Sequence, residues 1–286
     1  MQTLILEGKT IAAQLEEELK LKAETQKKKL GRSPHLASLS VSDDKASLVY
    51  LKSQSKLAAR LGIEYSVKEL PPNISQNDLN AEIQLLNKKH IIDGVIIQMP
   101  LPAHLDAKKA INVLDPKKDA EGLHSENLGA LFFSEAKIVP PTPAAVMRLL
   151  EATGKDLYGK EVVIVGHSEI VGKPLSLLLL NKFATVTVCH IGTSQAGFLE
   201  GHLRRAEILI VAVGKANFIK GLSLKEGVIV IDVGINRVEG KITGDVDFDS
   251  ARERASVITP VPGGVGALTP VMLMKNLLNL VDKQLL

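Results

Sequence analysis

Residues 161–174 read EVVIVGHSEIVGKP, and the order of those residues decides the fold. Val162, Val163, Ile164 and Val165 form a short β-branched run, the pattern of a strand buried on both faces. Gly166 ends the run and Gly172 follows six residues later. Pro174 stands where a helix can begin, and the apolar stretch 175–180 supplies its body. Strand, glycine turn and helix in that order describe the phosphate-binding corner of a dinucleotide fold. The glycines let backbone approach a pyrophosphate, and the helix N-terminus offers free N–H groups with partial positive charge. The spacing is G-x5-G rather than G-x-G-x-x-G, and a βα unit with no ligand carries the same pattern. The rest of the chain has to decide between them.

Downstream, the pattern predicts a strand over 185–190, a helix ending near 205, and strands over 207–213, 228–233 and 257–259. A Pro260–Gly266 loop follows, then a last helix over 268–283 that is placed to return to the first half of the chain. Upstream, Ile11, Leu15, Leu19 and Ala23 recur at helical spacing within 9–30. A strand over 35–41 leads into the turn formers Ser42, Asp43 and Asp44. A helix over 46–61 then ends at Gly62 in the C′ position. A strand over 64–69, a helix over 76–89 with Leu79, Ile83 and Leu86 on one face, and a strand over 93–99 complete an alternating pattern. Alternation of this kind predicts a parallel α/β domain. Residues 115–145 are rich in proline, glycine and acid, which places the domain junction there, followed by a linking helix over 143–152. The expected organisation is two α/β domains with a ligand cleft between them. The first covers 1–142 and is completed by the C-terminal helix 268–286; the second is a Rossmann-like unit over 143–267.

Composition excludes several classes. A net charge of +3 on 286 residues is too small for a nucleic-acid groove or a membrane-binding surface. The one tight basic run, Lys27 to Lys29, reads as a solvated helix end. Cys189 is the single cysteine, which leaves no intramolecular disulfide and no cysteine-based metal site. No signal-peptide pattern and no run of membrane-spanning length occur, so the expectation is a cytoplasmic protein without a metal.

Several segments, taken in order, resemble one family: Tyr50 in SLVYLKSQSK, Gln98 in DGVIIQMPLP, Asp119 and Glu121 in DPKKDAEGLH, Ser168 in GHSEIVGKP, VIVIDVGIN, and TPVPGGVG. Across essentially its whole length the chain is similar to methylenetetrahydrofolate dehydrogenase/methenyltetrahydrofolate cyclohydrolase. The resemblance implies an N-terminal folate-binding domain, a C-terminal Rossmann domain, a tetrahydrofolate substrate, NAD or NADP, and a homodimer. It also implies that Tyr50, position 54, Gln98 and position 121 are the catalytic group, and that Tyr50, Gln98, Glu121, Pro262, Gly263, Gly264 and Val265 meet the folate. The cofactor is expected at Gly166, His167, Ser168, Ile170, Gly172, His190, Val213, Gly214, Ile235 and Thr269.

The departures are informative. Hydride transfer needs little acid or base, but hydration of a methenyl cation requires water to lose a proton, and the family has a lysine four residues after the tyrosine. Here that residue is Gln54. Positions i and i+4 share a helix face, whereas Lys52 points away. An amide cannot take up a proton near neutral pH. The expectation is that hydride transfer survives while cyclohydrolase activity is weak or lost. Two alternatives remain open: neutral drift at a surface helix, and a shifted register in which Lys56 does the work. Glu121 replaces the family's aspartate, keeping charge and adding a methylene. Ser42, Lys45, Ser125, Pro141 and Ala267 are further departures that point to no other reaction. NADP-dependent members commonly present an arginine after the first glycine, and a serine with a basic residue after the second strand. This chain has His167 there, and Ile191 and Gly192 after His190, which leans the reading to NAD. The rival readings are a fully bifunctional enzyme, a non-catalytic folate- or nucleotide-binding regulatory protein, and a dehydrogenase of an unrelated small substrate.

Overall fold

A computed structural model describes residues 3–41 and 45–285, and for 45–50 the backbone alone. Tyr50 therefore lies, as a side chain, outside the described residues, and the Ser42 to Asp44 turn lies outside them altogether. The chain runs β1 (Leu4–Ile5), α1 (Gly8–Leu30), β2 (His35–Ser40), α2 (Lys45–Arg60), β3 (Glu64–Glu69), α3 (Gln76–Asn87) and β4 (Gly94–Ile97). Then come α4 (Ala107–Val113), α5 (Ser125–Phe132), α6 (Pro141–Ala152), β5 (Glu161–Val165), α7 (Gly172–Leu180), β6 (Thr185–Cys189), α8 (Ile191–Gln195), α9 (Leu199–Arg205) and β7 (Ile208–Val211). The last elements are β8 (Ile229–Asp232), β9 (Asn236–Val238), β10 (Lys241–Thr243), α10 (Phe248–Arg252), β11 (Val257–Ile258) and α11 (Val265–Gln284). None of the described helices is long and apolar enough to cross a membrane.

The chain forms two compact units. One comprises residues 1–13 and 140–272, the other 14–139 and 273–286. The expected division, 1–142 with 268–286 and 143–267, differs from these bounds at the N-terminus and within the last helix. The first thirteen residues go with the nucleotide-type unit because β1 pairs in parallel with β11, Leu4 opposite Val257 and Ile5 opposite Ile258. The crossing in the last helix falls inside α11 rather than before it.

The larger unit is a six-stranded, all-parallel sheet in the order β1-β11-β8-β7-β5-β6. Its central strands are buried on both faces, which is why they read as unbroken Val/Ile runs rather than as alternating patterns. Val163, Val165, Leu209, Val211, Val230 and Ile258 build one core layer, closed by Leu203, Ile219 and Leu224. Because β6 lies on one side of β5 and β7 on the other, the strand order reverses at the carboxyl ends of β5 and β7. Open α/β sheets bind their ligands at that place.

The smaller unit is a three-stranded parallel sheet, β3-β2-β4, with β2 buried at every residue. α3 lays Leu79, Ile83 and Leu86 on it, as the spacing predicts. Ser75 caps that helix, its hydroxyl accepting from the Asp78 N–H. The C-terminal half of α11 completes this core. Asn276 Nδ2 donates to the carbonyls of Ala120 (2.9 Å) and Val139 (2.8 Å), and a side chain at Gly94 would overlap Leu277.

Candidate active site

In the larger unit the opening corner has the geometry its glycines require. Gly166 sits at φ +128°, and a Cβ there would overlap the Ala212 carbonyl at the end of β7. A Cβ on Gly172 would overlap the Gly166 carbonyl, so the start of α7 lies directly against the end of β5. Between them, Ser168 Oγ accepts from the Val171 N–H (3.1 Å) and its carbonyl from the Lys173 N–H (3.0 Å), shaping the turn. A cavity of about 420 Å³ opens at this switch point. It is lined by Gly166, His167, Ser168, His190 and Val213 from the expected set, together with Lys215 and Phe218. The two imidazoles stand side by side, ring centres 5.3 Å apart, and Lys215 lies 5.0 Å over the Phe218 ring. Among the described residues no carboxylate lines this cavity, so it suits a partly apolar anion. The overlap-forbidding glycines, the strand reversal and the absence of acid together fit a dinucleotide.

The loop after β7 is held by a residue the sequence reading missed. Asp245, fully buried, accepts from three successive backbone N–H groups, Val213 (2.6 Å), Gly214 (2.9 Å) and Lys215 (2.9 Å), and from Asn236 Nδ2 (2.8 Å). Gly214, expected to meet the cofactor, thus gives its N–H to a carboxylate of the scaffold. Asp232 closes the network, accepting from the N–H groups of Gly234, Asp245 and Val246. Burial pushes its carboxyl up to about 6 against those three hydrogen bonds, and Asp245 adds to the rise.

Pro262, Gly263 and Gly264 line a second cavity of about 280 Å³ with Ile235, Lys9 and Asp232. Ile235 is therefore grouped with the proline–glycine loop and not with the switch-point cavity. Val265 is buried as the first residue of α11 and lines neither cavity, while Thr269 Oγ1 turns back to the Val265 carbonyl at 3.2 Å. Ile170 is exposed within the turn and lines neither cavity.

In the smaller unit, Gln54 is only 1% exposed, so it is not a surface position open to drift. Its Oε1 accepts from the Tyr65 hydroxyl (2.6 Å) and from Gln98 Nε2 (3.1 Å), and Gln98 Nε2 also donates to Ser38 Oγ (2.9 Å). Lys52 and Lys56 are exposed on α2, whereas Gln54 is buried. Asp119 organises the next loop. Buried, it accepts from the N–H groups of Glu121, Gly122 and His124 and from Asn127 Nδ2, and so presents Glu121 half-buried beside the end of β4. Burial raises the Glu121 carboxyl to about 8; the Asp119 charge adds to the rise and a hydrogen bond from the Ile97 N–H opposes it. Gln54, Gln98 and Glu121 thus gather at the carboxyl end of the small sheet. Tyr65 carried no local signal, since it reaches Gln54 on α2 from β3, eleven residues away.

A doubly wound sheet with a glycine corner, carried in one chain with a smaller parallel α/β unit that buries a polar cluster, defines a two-unit α/β protein of the dinucleotide-binding class. Comparison narrows the class. Residues 140–285 match the NAD(P)-binding domain of tetrahydrofolate dehydrogenase/cyclohydrolase, and residues 6–121 match its catalytic domain. The bifunctional protein FolD of Acetivibrio thermocellus is 47% identical over 277 residues, 96% of each chain. The crystal structure of the bifunctional FolD enzyme, methylenetetrahydrofolate dehydrogenase/cyclohydrolase, from Campylobacter jejuni superposes with a TM-score of 0.95 at 43% identity over 99% of both chains. The Trypanosoma brucei methylenetetrahydrofolate dehydrogenase-cyclohydrolase, solved with NADP and an inhibitor, gives 0.94 at 36% identity over 99% of both. The chain belongs to the tetrahydrofolate dehydrogenase/cyclohydrolase family.

Proposed function

We propose that this enzyme oxidises 5,10-methylenetetrahydrofolate to 5,10-methenyltetrahydrofolate, and that its hydrolysis of the methenyl product to 10-formyltetrahydrofolate is weak or lost. The nicotinamide, when bound, accepts the hydride. The protein's part in that step is to hold the partners in place and exclude water. Gly166, Ser168 and Gly172 shape the corner against which the cofactor's phosphates lie, while Gln98 and Glu121, with Tyr50, orient the folate ring system.

One observation carries the second half of the reading: a buried amide stands at position 54, its carbonyl oxygen already accepting two hydrogen bonds. It offers no group that takes a proton from attacking water. Methenyltetrahydrofolate supplied alone tests this. Its absorbance should decay at the rate of buffer without protein; decay many times faster refutes the loss.

For the cofactor we infer NAD over NADP, because the places that would grip a 2′-phosphate hold His167, His190, Ile191 and Gly192 and no fixed cation. The ratio of kcat/KM for the two dinucleotides at pH 8 should favour NAD. We also infer a homodimer, which sedimentation equilibrium reads directly.

A further inference from the structure

We propose that Tyr65 is a positioning residue of the folate site, acting through Gln54; this rests on the folate reading above. Tyr65 sits on β3, paired with Leu36 of β2, and is half-buried. A tyrosine there can leave its hydroxyl in water. Instead the hydroxyl reaches across to α2 and donates to Gln54 Oε1 at 2.6 Å. Gln98 Nε2 donates to the same oxygen at 3.1 Å and is itself tied to Ser38 on β2. A carbonyl oxygen has two lone pairs, and both are used here. Two donors, one on β3 and one just past the end of β4, fix the amide plane and its sense: the oxygen faces Tyr65 and Gln98, and the –NH₂ is the donor end. Position 54 thereby becomes an oriented, neutral hydrogen-bond donor. Without the phenol, one lone pair of a buried carbonyl loses its partner, and among the described residues that oxygen keeps Gln98 alone. Tyr65 meets no folate atom in this account. Its effect runs through the orientation of Gln54.

Tyr65→Phe keeps the ring and removes only the hydroxyl. The parent and this variant are titrated calorimetrically with tetrahydrofolate and assayed for dehydrogenase kinetics. We expect the tetrahydrofolate Kd and the KM for methylenetetrahydrofolate to rise about 5- to 20-fold, with kcat and the KM for the dinucleotide within about twofold. A merely structural tyrosine would lower the thermal midpoint and leave that split absent. In a Gln54→Ala background the same change should add less than about twofold, because the group it acts through is gone. A Tyr65→Phe protein that binds tetrahydrofolate as the parent does, or an equal loss with and without Gln54, overturns the proposal while leaving the folate reading intact. A parent that binds no tetrahydrofolate overturns the folate reading, and this proposal with it.

Discussion

At the scale of single residues, the proposed chemistry turns on positions 54 and 121. Gln54→Lys places an ammonium where Tyr65 and Gln98 now meet the amide, and burial lowers a lysine's pKa toward the range of a working base. We predict that this variant gains hydrolysis of methenyltetrahydrofolate by about 10-fold or more, within the range general-base catalysis supplies, read as the decay of the methenyl absorbance. Glu121 sets a pH dependence. Its pKa rises from 4.5 to about 8 through burial, so the free enzyme holds it mainly protonated at neutral pH. A raised carboxyl pKa means that folding favours the protonated form. Its contribution to stability is complete below about 4.5 and is lost as pH rises through about 8. Folate affinity runs the other way if the carboxylate grips the ring system. We predict that kcat/KM for methylenetetrahydrofolate rises between pH 7 and 9 with a midpoint near 8, and that Glu121→Gln flattens that limb. Both positions were named through the resemblance to the family, as the residue four after Tyr50 and as the acidic residue of the DAEG stretch. The Tyr65 contact and the raised carboxyl depend on burial and on a neighbouring strand, which no local window contains.

At the scale of elements, the glycine corner and the loop after β7 form the proposed cofactor site. Gly166→Ala puts a Cβ on the Ala212 carbonyl at a φ suited to glycine, which we predict costs about 2–4 kcal/mol and abolishes dinucleotide binding. Thermal melts and NAD titration check both parts. Asp245→Asn turns one acceptor oxygen into a donor facing N–H groups of residues 213–215 and the Asn236 amide. We predict about a 10-fold weaker NAD affinity, equivalent to roughly 1.4 kcal/mol, together with a lower melting temperature. The long elements were legible because periodicity and caps coincide, as in α3 with its buried Leu79, Ile83 and Leu86. The helix expected to end near 205 is two short ones, α8 and α9, divided at Gly197 with φ +75°. Short elements escaped the reading. α4 has seven residues and is announced only by its Asp106 cap, and the β9–β10 hairpin turns at Glu239-Gly240, both at positive φ. Glu239 is an uncommon residue for that conformation, so the turn did not declare itself.

At the scale of the whole molecule, two α/β units were legible from the alternation of strand and helix. β1 is two residues long, too short for any periodicity, yet its pairing with β11 assigns the N-terminus to the larger unit. The C-terminal part of α11 serves the smaller unit, where Asn276 satisfies the buried carbonyl of Ala120 and the part-buried one of Val139. Asn276→Ala orphans both, and we predict a loss of about 1–3 kcal/mol, seen as a lower denaturant midpoint with the slope unchanged.

The most direct measurement gives the purified protein methylenetetrahydrofolate with NAD and, in parallel, NADP, while recording reduced cofactor and methenyl absorbance together. The account predicts that reduced cofactor forms and that methenyltetrahydrofolate accumulates to match it, disappearing only at the uncatalysed rate. Methenyl cleared as fast as it forms would contradict the account, because a protein with Gln54 would then be hydrating the product without the lysine.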